Sequence, residues 1–284
     1  MSDNEIDLDP TELMEQGEAA FEAGEKDIAA KIFNTAGNVY MSLAEFEGAL
    51  ECFERSVEIF KELDDETGIS DTLYNLGVAQ INLEQWDEAI LTCEKTMEKF
   101  EAVDNEEGTA DAMYALALAY HGKGKTDTAM DYFKKAQRAY KKLGNEQGVV
   151  SIIMDIGNVE AEQENWAQAT KTFKKALKIY QELDDKAGTA DALSLLGDIA
   201  EIQGKQKQAA EYFTEASECY LEAEIYDIAR EVFERAEQKL WDIPKATRRR
   251  LRKVLDKIYD RLPEEEDDDD DDDEDFDEDL LEFQ

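Results

Sequence analysis

A single histidine, His121, and three cysteines, Cys52, Cys93 and Cys219, are all this chain offers of the side chains most used for nucleophilic, redox or metal chemistry. The cysteines form no C-x-x-C pair and cannot complete a zinc set with one histidine, so neither a metal centre nor a disulfide framework is expected. His121 stands in Tyr120-His121-Gly122 without an evident nucleophile, and neither a G-x-S-x-G turn nor a phosphate-cradling glycine loop occurs. Carboxylates are so common that pairs of them carry no information, since charges on helix faces are ordinarily solvated. No D-x-D-x-D-G loop is present to bind calcium. No catalytic, cofactor-binding or metal-binding residue is assigned, and the expected chemistry is recognition without catalysis.

The elements that would carry recognition emerge from charge and self-comparison. The 284 residues hold 71 Asp and Glu against 31 Lys and Arg, a formal charge of −40. Nucleic acid binding needs clustered cations on phosphates, so this field argues against it, and against anionic membranes for the same reason. No stretch approaches the roughly 18 apolar residues of a membrane span, and Met1 to Pro10 is acidic with no apolar run. A reduced, cytoplasmic protein is expected.

Through its middle the chain returns to itself every 40 residues. Gly68, Gly108, Gly148 and Gly188 are in register, as are Gly77, Ala117, Gly157 and Gly197, then Ala89, Ala129, Ala169 and Ala209, and the aromatics Phe60, Phe100, Tyr140, Tyr180 and Tyr220. Toward both ends the ladders recur at 20 residues, as from Gly17 to Gly37 and from Phe213 to Phe233. Apolar spacing within each unit is helical, and the unit reads as two helices. Asp64-Asp65, Asn105, Asn145 and Asp184-Asp185 are placed to cap first helices, while Gly122, Gly124 and Gly204 mark the second break. The pattern predicts helices near 11–23, 26–41, 46–63, 67–83, 86–103, 107–122, 126–143, 147–163, 166–183, 187–203, 206–222, 225–241 and 244–262: one leading helix and six pairs. Small residues on the Gly77 and Ala89 ladders predict close helix approach.

Leu76-Gly77, Ala89 and Thr96, and the fuller set Ala117, Tyr120, Ala129, Phe133 and Ala136, resemble the tetratricopeptide repeat over roughly residues 11–243. The repeat is 40 rather than 34 residues, and Leu-Asp-Asp or Leu-Gly-Asn replaces the usual proline. In length it is similar to the repeats of spindle-orientation adaptors and kinesin light chains. The resemblance implies an all-α, right-handed α-solenoid of helix hairpins acting as a protein-binding scaffold. The expected division is a flexible stretch 1–10, the solenoid 11–243, a basic capping helix 244–262 and an acidic disordered tail 263–284.

Stacked hairpins curve, and the first helix of each lines the concave face. The expected partner site is an apolar strip of Tyr74, Val78, Ile81, Tyr114, Leu118 and Met154 edged by Asp71 and Asp111, suited to a peptide or helix with some basic residues. The alternative is that these side chains are inter-helix packing. Asn38 and Asn158 follow the ladder glycine, where the family often places an Asn that binds peptide backbone. Acids in the columns disfavour the family's carboxylate clamp.

The last helix sets Arg249, Lys253, Lys257 and Arg261 along one face and is expected to be the only basic patch. It reads as a cap, and as a place for an acidic partner or the chain's own tail. Residues 264–284 contain 16 acids and no base, interrupted by Phe276, Leu280, Leu281 and Phe283, which suit a short binding motif or merely end a solubilising bristle. The runner-up function is an acidic chaperone that shields basic proteins through this tail, and self-association through the solenoid ends is a further possibility.

Overall fold

The computed structural model describes residues 9–263, which hold thirteen α-helices and no strand: α1 (Pro10–Glu22), α2 (Lys26–Ser42), α3 (Phe46–Glu62), α4 (Glu66–Asn82), α5 (Trp86–Ala102), α6 (Glu106–Gly122), α7 (Thr126–Leu143), α8 (Glu146–Glu162), α9 (Trp166–Glu182), α10 (Lys186–Ile202), α11 (Gln206–Glu222), α12 (Tyr226–Lys239) and α13 (Lys245–Tyr259). A 3-10 turn, Leu240–Asp242, follows α12. The tail residues Phe276, Leu280, Leu281 and Phe283 lie outside the described residues.

Most helices are 17 residues long, about 25 Å at 1.5 Å per residue. Each helix from α1 to α11 is closed by a tight turn containing one left-handed residue, and that residue recurs every 20 positions from Gly24 to Glu224. Gly24, Gly124, Gly144 and Gly204 take this conformation without a Cβ penalty, whereas Ala44, Asp64, Glu84, Asp104, Glu164, Asp184 and Glu224 take it with one. Gly122 does not end its helix in this way. It is still helical, and a Cβ there would sit 2.4 Å from the Trp86 ring.

The 40-residue ladder is superimposed on this 20-residue step because alternate helices begin differently. Asp65, Asn105, Asn145 and Asp185 each accept a hydrogen bond from the glycine N–H three residues on, at 2.8–3.0 Å, and so cap α4, α6, α8 and α10. The helices between them have no side-chain cap. The capped glycines are also packed on: a Cβ at Gly68 or Gly108 would lie 2.5 or 2.7 Å from the ring of Phe60 or Phe100.

Phe33, Phe53, Phe133, Phe173 and Phe213 are sealed in the seams between helices, facing the small-residue ladder. These seams run from α2 to α13 as successive clusters of one core. Helix α2 touches α4, and α4 touches α6, whereas α3, α5, α7 and α9 do not touch the next second helix as closely; at the C-terminal end the second helices α11 and α13 do meet. From α2 to α6 the first helices thus draw together on the inner side of the stack, as in a curved solenoid.

At the C-terminal end α12 stops at Lys239, earlier than the expected 241, since Pro244 forces Ile243 into extended backbone (φ −119°, ψ 160°). Likewise α13 ends at Tyr259 because Pro263 disfavours helix at Leu262, which instead folds inward and is 9% exposed. Leu251, Leu255 and Ile258 of α13 close the core over Leu221, Val232 and Phe233. Their burial contributes on the order of 2 kcal/mol per side chain.

Candidate functional site: the inner wall

The inner wall is made by α2, α4, α6, α8, α10 and, at its end, α12. Side-chain bonds tie these helices directly to one another. Asn75 donates to Asn34 Oδ1 (3.2 Å), Tyr114 donates to Asp155 Oδ2 (2.6 Å), and His121 Nε2 stands 3.1 Å from Glu162. At the far end Arg235 and Lys239 hold Asp198 and Glu201, and the Lys239 bond, ahead of the other contacts, keeps the Glu201 carboxyl below its usual range.

The strip sits between the two arrangements the sequence allows. Tyr74, Val78, Ile81, Tyr114, Leu118 and Met154 are all half-buried. Tyr74 and Ile81 pack their inner sides on the cluster of Ala89, Cys93 and Leu116, while Tyr114 and Leu118 pack on that of Ala117 and Phe133. Met154 bridges two clusters around α9. Asn38 is exposed and Asn158 half-buried, and neither side chain makes a hydrogen bond with another described residue.

The acids are more organised than their spacing suggests. Tyr140 donates to Asp111, and Tyr220 donates to Asp191 at 2.6 Å, each tyrosine reaching from the end of a second helix to the first helix of its own pair. The position that would serve Asp71 is Phe100, which has no hydroxyl, and Asp71 stays exposed. Asp71, Asp111, Asp155 and Asp191 meet no Lys or Arg among the described residues.

Burial accordingly pushes the Asp71, Asp111 and Asp155 carboxyls up, opposed at Asp111 and Asp155 by the bond from the tyrosine. Burial also lifts the tyrosines: Tyr74 is pushed up to about 12, with Asp111 adding to it, and Tyr114 and Tyr140 are raised as well. At neutral pH these phenols stay protonated beside carboxylates that have lost water and meet no Lys or Arg among the described residues, His121 alone acting on Asp155 as an opposing charge.

Asp155 belongs to this site and the sequence columns miss it. The available signal is an acid inside the otherwise apolar run Ile152-Ile153-Met154-Asp155-Ile156, at the position Asn75 holds two repeats earlier. Clefts of about 540 Å³ beside α7, α8 and α9, and of about 600 Å³ between α12 and α13, lie away from the strip. Burial raises Cys52 and Cys93 to about 12, and no group of three or more His, Cys, Asp and Glu is placed to hold a metal among the described residues.

The expected basic row is exposed: Arg249, Lys253, Lys257 and Arg261 all face outward on or just past α13, without an ion pair to a described residue. It is not the only one. Helix α7 carries Lys134, Lys135, Arg138, Lys141 and Lys142 against Asp127 and Asp131, and α9 carries Lys171, Lys174, Lys175 and Lys178 against Glu182. Both are second helices, so positive charge gathers on the stretch of outer layer behind α6 and α8, whereas the second helices α3, α5 and α11 carry more acids than bases.

Residues 27–90, 68–142 and 149–222 match the family model described as tetratricopeptide repeat. No curated protein matches the sequence. Solved structures share the fold at low identity. BtubC (BKLC) from P. vanneervenii is 18% identical, with 78% of this chain and 87% of that one covered and a TM-score of 0.56. A putative kinesin light chain from Podosopora anserina with nearly identical TPR-like repeats is 14% identical, with 68% and 95% covered and a TM-score of 0.55. The Rap conjugation gene regulator of plasmid pLS20, solved in complex with the Phr* peptide, is 14% identical, with 85% and 76% covered and a TM-score of 0.56. No helix among the described residues is long and apolar enough to cross a membrane.

Proposed function

Because the chain belongs to the tetratricopeptide repeat family, we propose that its inner wall, from α4 to α10, is a non-catalytic docking trough for a partner protein or peptide bearing basic side chains. The observation that carries this is the set of carboxylates Asp71, Asp111, Asp155 and Asp191, which have no Lys or Arg partner among the described residues. Asp111 and Asp155 sit half-buried with raised pKa values, although the same chain supplies many of its other acids with lysines, as in Lys26–Glu62 and Lys186–Glu222. A desolvated carboxylate is costly unless a cation arrives, and an incoming Arg or Lys would find it already aimed by tyrosine hydroxyls. Tyr74, Val78, Ile81, Tyr114, Leu118 and Met154 supply an apolar floor for the partner's other side chains. A Rap relative of the same fold is solved with a peptide bound, which supports a peptide-sized occupant.

The test uses two synthetic amphipathic helices with the same apolar face, one flanked by Arg and Lys and the other by Glu, and fluorescence anisotropy against the full chain. The basic helix should bind, and Asp111→Asn with Asp155→Asn should weaken it about tenfold, the size of one charge-assisted hydrogen bond. Equal affinity before and after that double substitution refutes the reading. Binding that survives it but vanishes on removing 264–284, or in roughly 0.5 M salt, assigns the interaction to the acidic tail and to the chaperone alternative.

A further inference from the structure

Outside the inner wall, the outer-layer cleft of about 540 Å³ has a composition unusual for so acidic a chain. The ends of α7 and α9 and the start of α8 enclose it, and α7 packs less intimately on α8 than any other two consecutive helices from α1 to α12 do on each other. Its floor is the half-buried pair Val149 and Ile179, and its rim carries the exposed cations Arg138, Lys141 and Lys175. None of the three cations forms an ion pair with a described residue. Glu146 and Glu182 also line it, but Glu182 is taken up by Lys178 at 3.2 Å. An apolar floor ringed by unpaired cations calls for an acidic segment with bulky apolar side chains.

The chain contains such a segment. Residues 264–284 combine 16 acids with Phe276, Leu280, Leu281 and Phe283, and no cation. They also leave the solenoid at the right edge. Arg250 of α13 pairs with Glu211 of α11, each six residues into its helix, while Arg252 pairs with Glu237 of α12 and Tyr259 packs on Phe233. Helix α13 therefore runs antiparallel to α12 and parallel to α11, and it ends at the edge where α7 and α9 end.

From α13 the outer layer continues through α11 to α9 and α7, so the cleft lies two to three steps away, those beyond α11 wider than the roughly 8–10 Å of directly packed helices because α11, α9 and α7 are not packed closely on one another. The 13 residues from Pro263 to Phe276 span up to about 43 Å when extended. The reach is ample.

We propose that the C-terminal segment 264–284 folds back along the outer layer of its own molecule and seats its Leu280–Phe283 end in the cleft between α7 and α9, with its acids on Arg138, Lys141 and Lys175. The contact covers the basic stretch of the outer layer on α7 and α9 and leaves the acidic inner wall open.

Zero-length carbodiimide coupling of the full-length protein, which joins a lysine only to a carboxylate in direct contact, tests this by mass spectrometry. Lys141 and Lys175 should couple to carboxylates within 264–284 in the monomer fraction. Leu280→Ala with Phe283→Ala should cut that yield at least tenfold while leaving the circular dichroism melt unchanged. Coupling of the segment only to Lys253 and Lys257 of α13, coupling found only in dimers, or no coupling at all would each overturn the proposal. An undiminished yield in the Leu280→Ala, Phe283→Ala chain would also overturn it, since charge alone would then hold the segment. The inner-wall carboxylates take no part, so this result is independent of the anisotropy test above.

Discussion

Substituting Gly157 probes the packing on which the whole solenoid depends. A Cβ built on Gly157 lies 2.5 Å from Cε1 and 2.8 Å from Cδ1 of Phe173, closer than real Cβ contacts come. Phe173 is 0% exposed and has nowhere to retreat. The smallest change, Gly157→Ala, sets two effects against each other. Helix propensity gains about 1 kcal/mol, and overpacking costs about 1–3 kcal/mol. The chain itself shows that one methyl can be accommodated, because the same ladder carries Ala117 opposite Phe133, both fully buried. We therefore expect Gly157→Ala to cost no more than about 1–2 kcal/mol, as the difference of those terms. Gly157→Leu adds three further carbons to a dry seam and should cost about 3 kcal/mol or more. At roughly 2–4 °C per kcal/mol, that is a fall of about 6–12 °C in Tm, read by circular dichroism at a fixed scan rate. Shrinking the opposing ring by Phe173→Leu should restore part of the loss, with a coupling of about 1 kcal/mol or more in the double-mutant cycle. A Gly157→Leu melt within a degree or two of the parent, or strict additivity with Phe173→Leu, would refute the close-packed seam.

Three further outcomes follow from the structure. Asp155→Asn should raise Tm at pH 7, because the folded state holds the Asp155 carboxyl above its usual range through burial. A carboxyl raised in this way binds its proton more tightly when folded, so the parent regains stability as the pH falls and the gap between the two proteins should close toward the carboxylate range; a gap that widens on acidification contradicts the assignment. At the turns, Glu84→Gly should stabilise by about 0.5 kcal/mol, since Glu84 holds φ +57°, and Gly144→Ala at φ +74° should destabilise by about 1 kcal/mol, both from urea denaturation; equal and same-signed effects would show that backbone strain is not the cause. Asn145→Ala removes the oxygen that caps Gly148 N–H and should cost about 1 kcal/mol, with faster amide exchange confined to the first turn of α8.

What the sequence discloses and what it conceals divide along physical lines. Features enforced by sterics at a fixed position leave a residue signature: a ring against a backbone demands glycine at 68, 108, 148 and 188, an orphan N–H demands Asp or Asn at 65, 105, 145 and 185, and helix boundaries follow within a few residues. Features enforced only weakly leave none. A left-handed residue costs about 1–2 kcal/mol outside glycine, which a long packed core tolerates, so seven of the eleven turns carry no glycine and the 20-residue step is visible only in the backbone. Gly122 misleads for the converse reason: its small size serves the Trp86 ring and not a turn. The inner-wall carboxylates sit at an intermediate level. Asp71 and Asp111 are legible as a column, but Asp155 acquires its meaning from Tyr114, 41 residues away on the neighbouring first helix, and no local pattern specifies that partner. Hardest to see is the charge of the outer layer. The lysines of α7 and α9 are diluted along the chain by the acids of α8, and only folding sorts them, setting second helices on one side and first helices on the other. The period that sorts them is the one that sorts small from large residues. Over the hairpins α6–α7 and α8–α9, where the first helix is acidic and the second basic, the solenoid therefore presents two faces of opposite sign, whereas α3, α5 and α11 keep the outer layer acidic elsewhere, and a partner's own charge decides which stretch it meets.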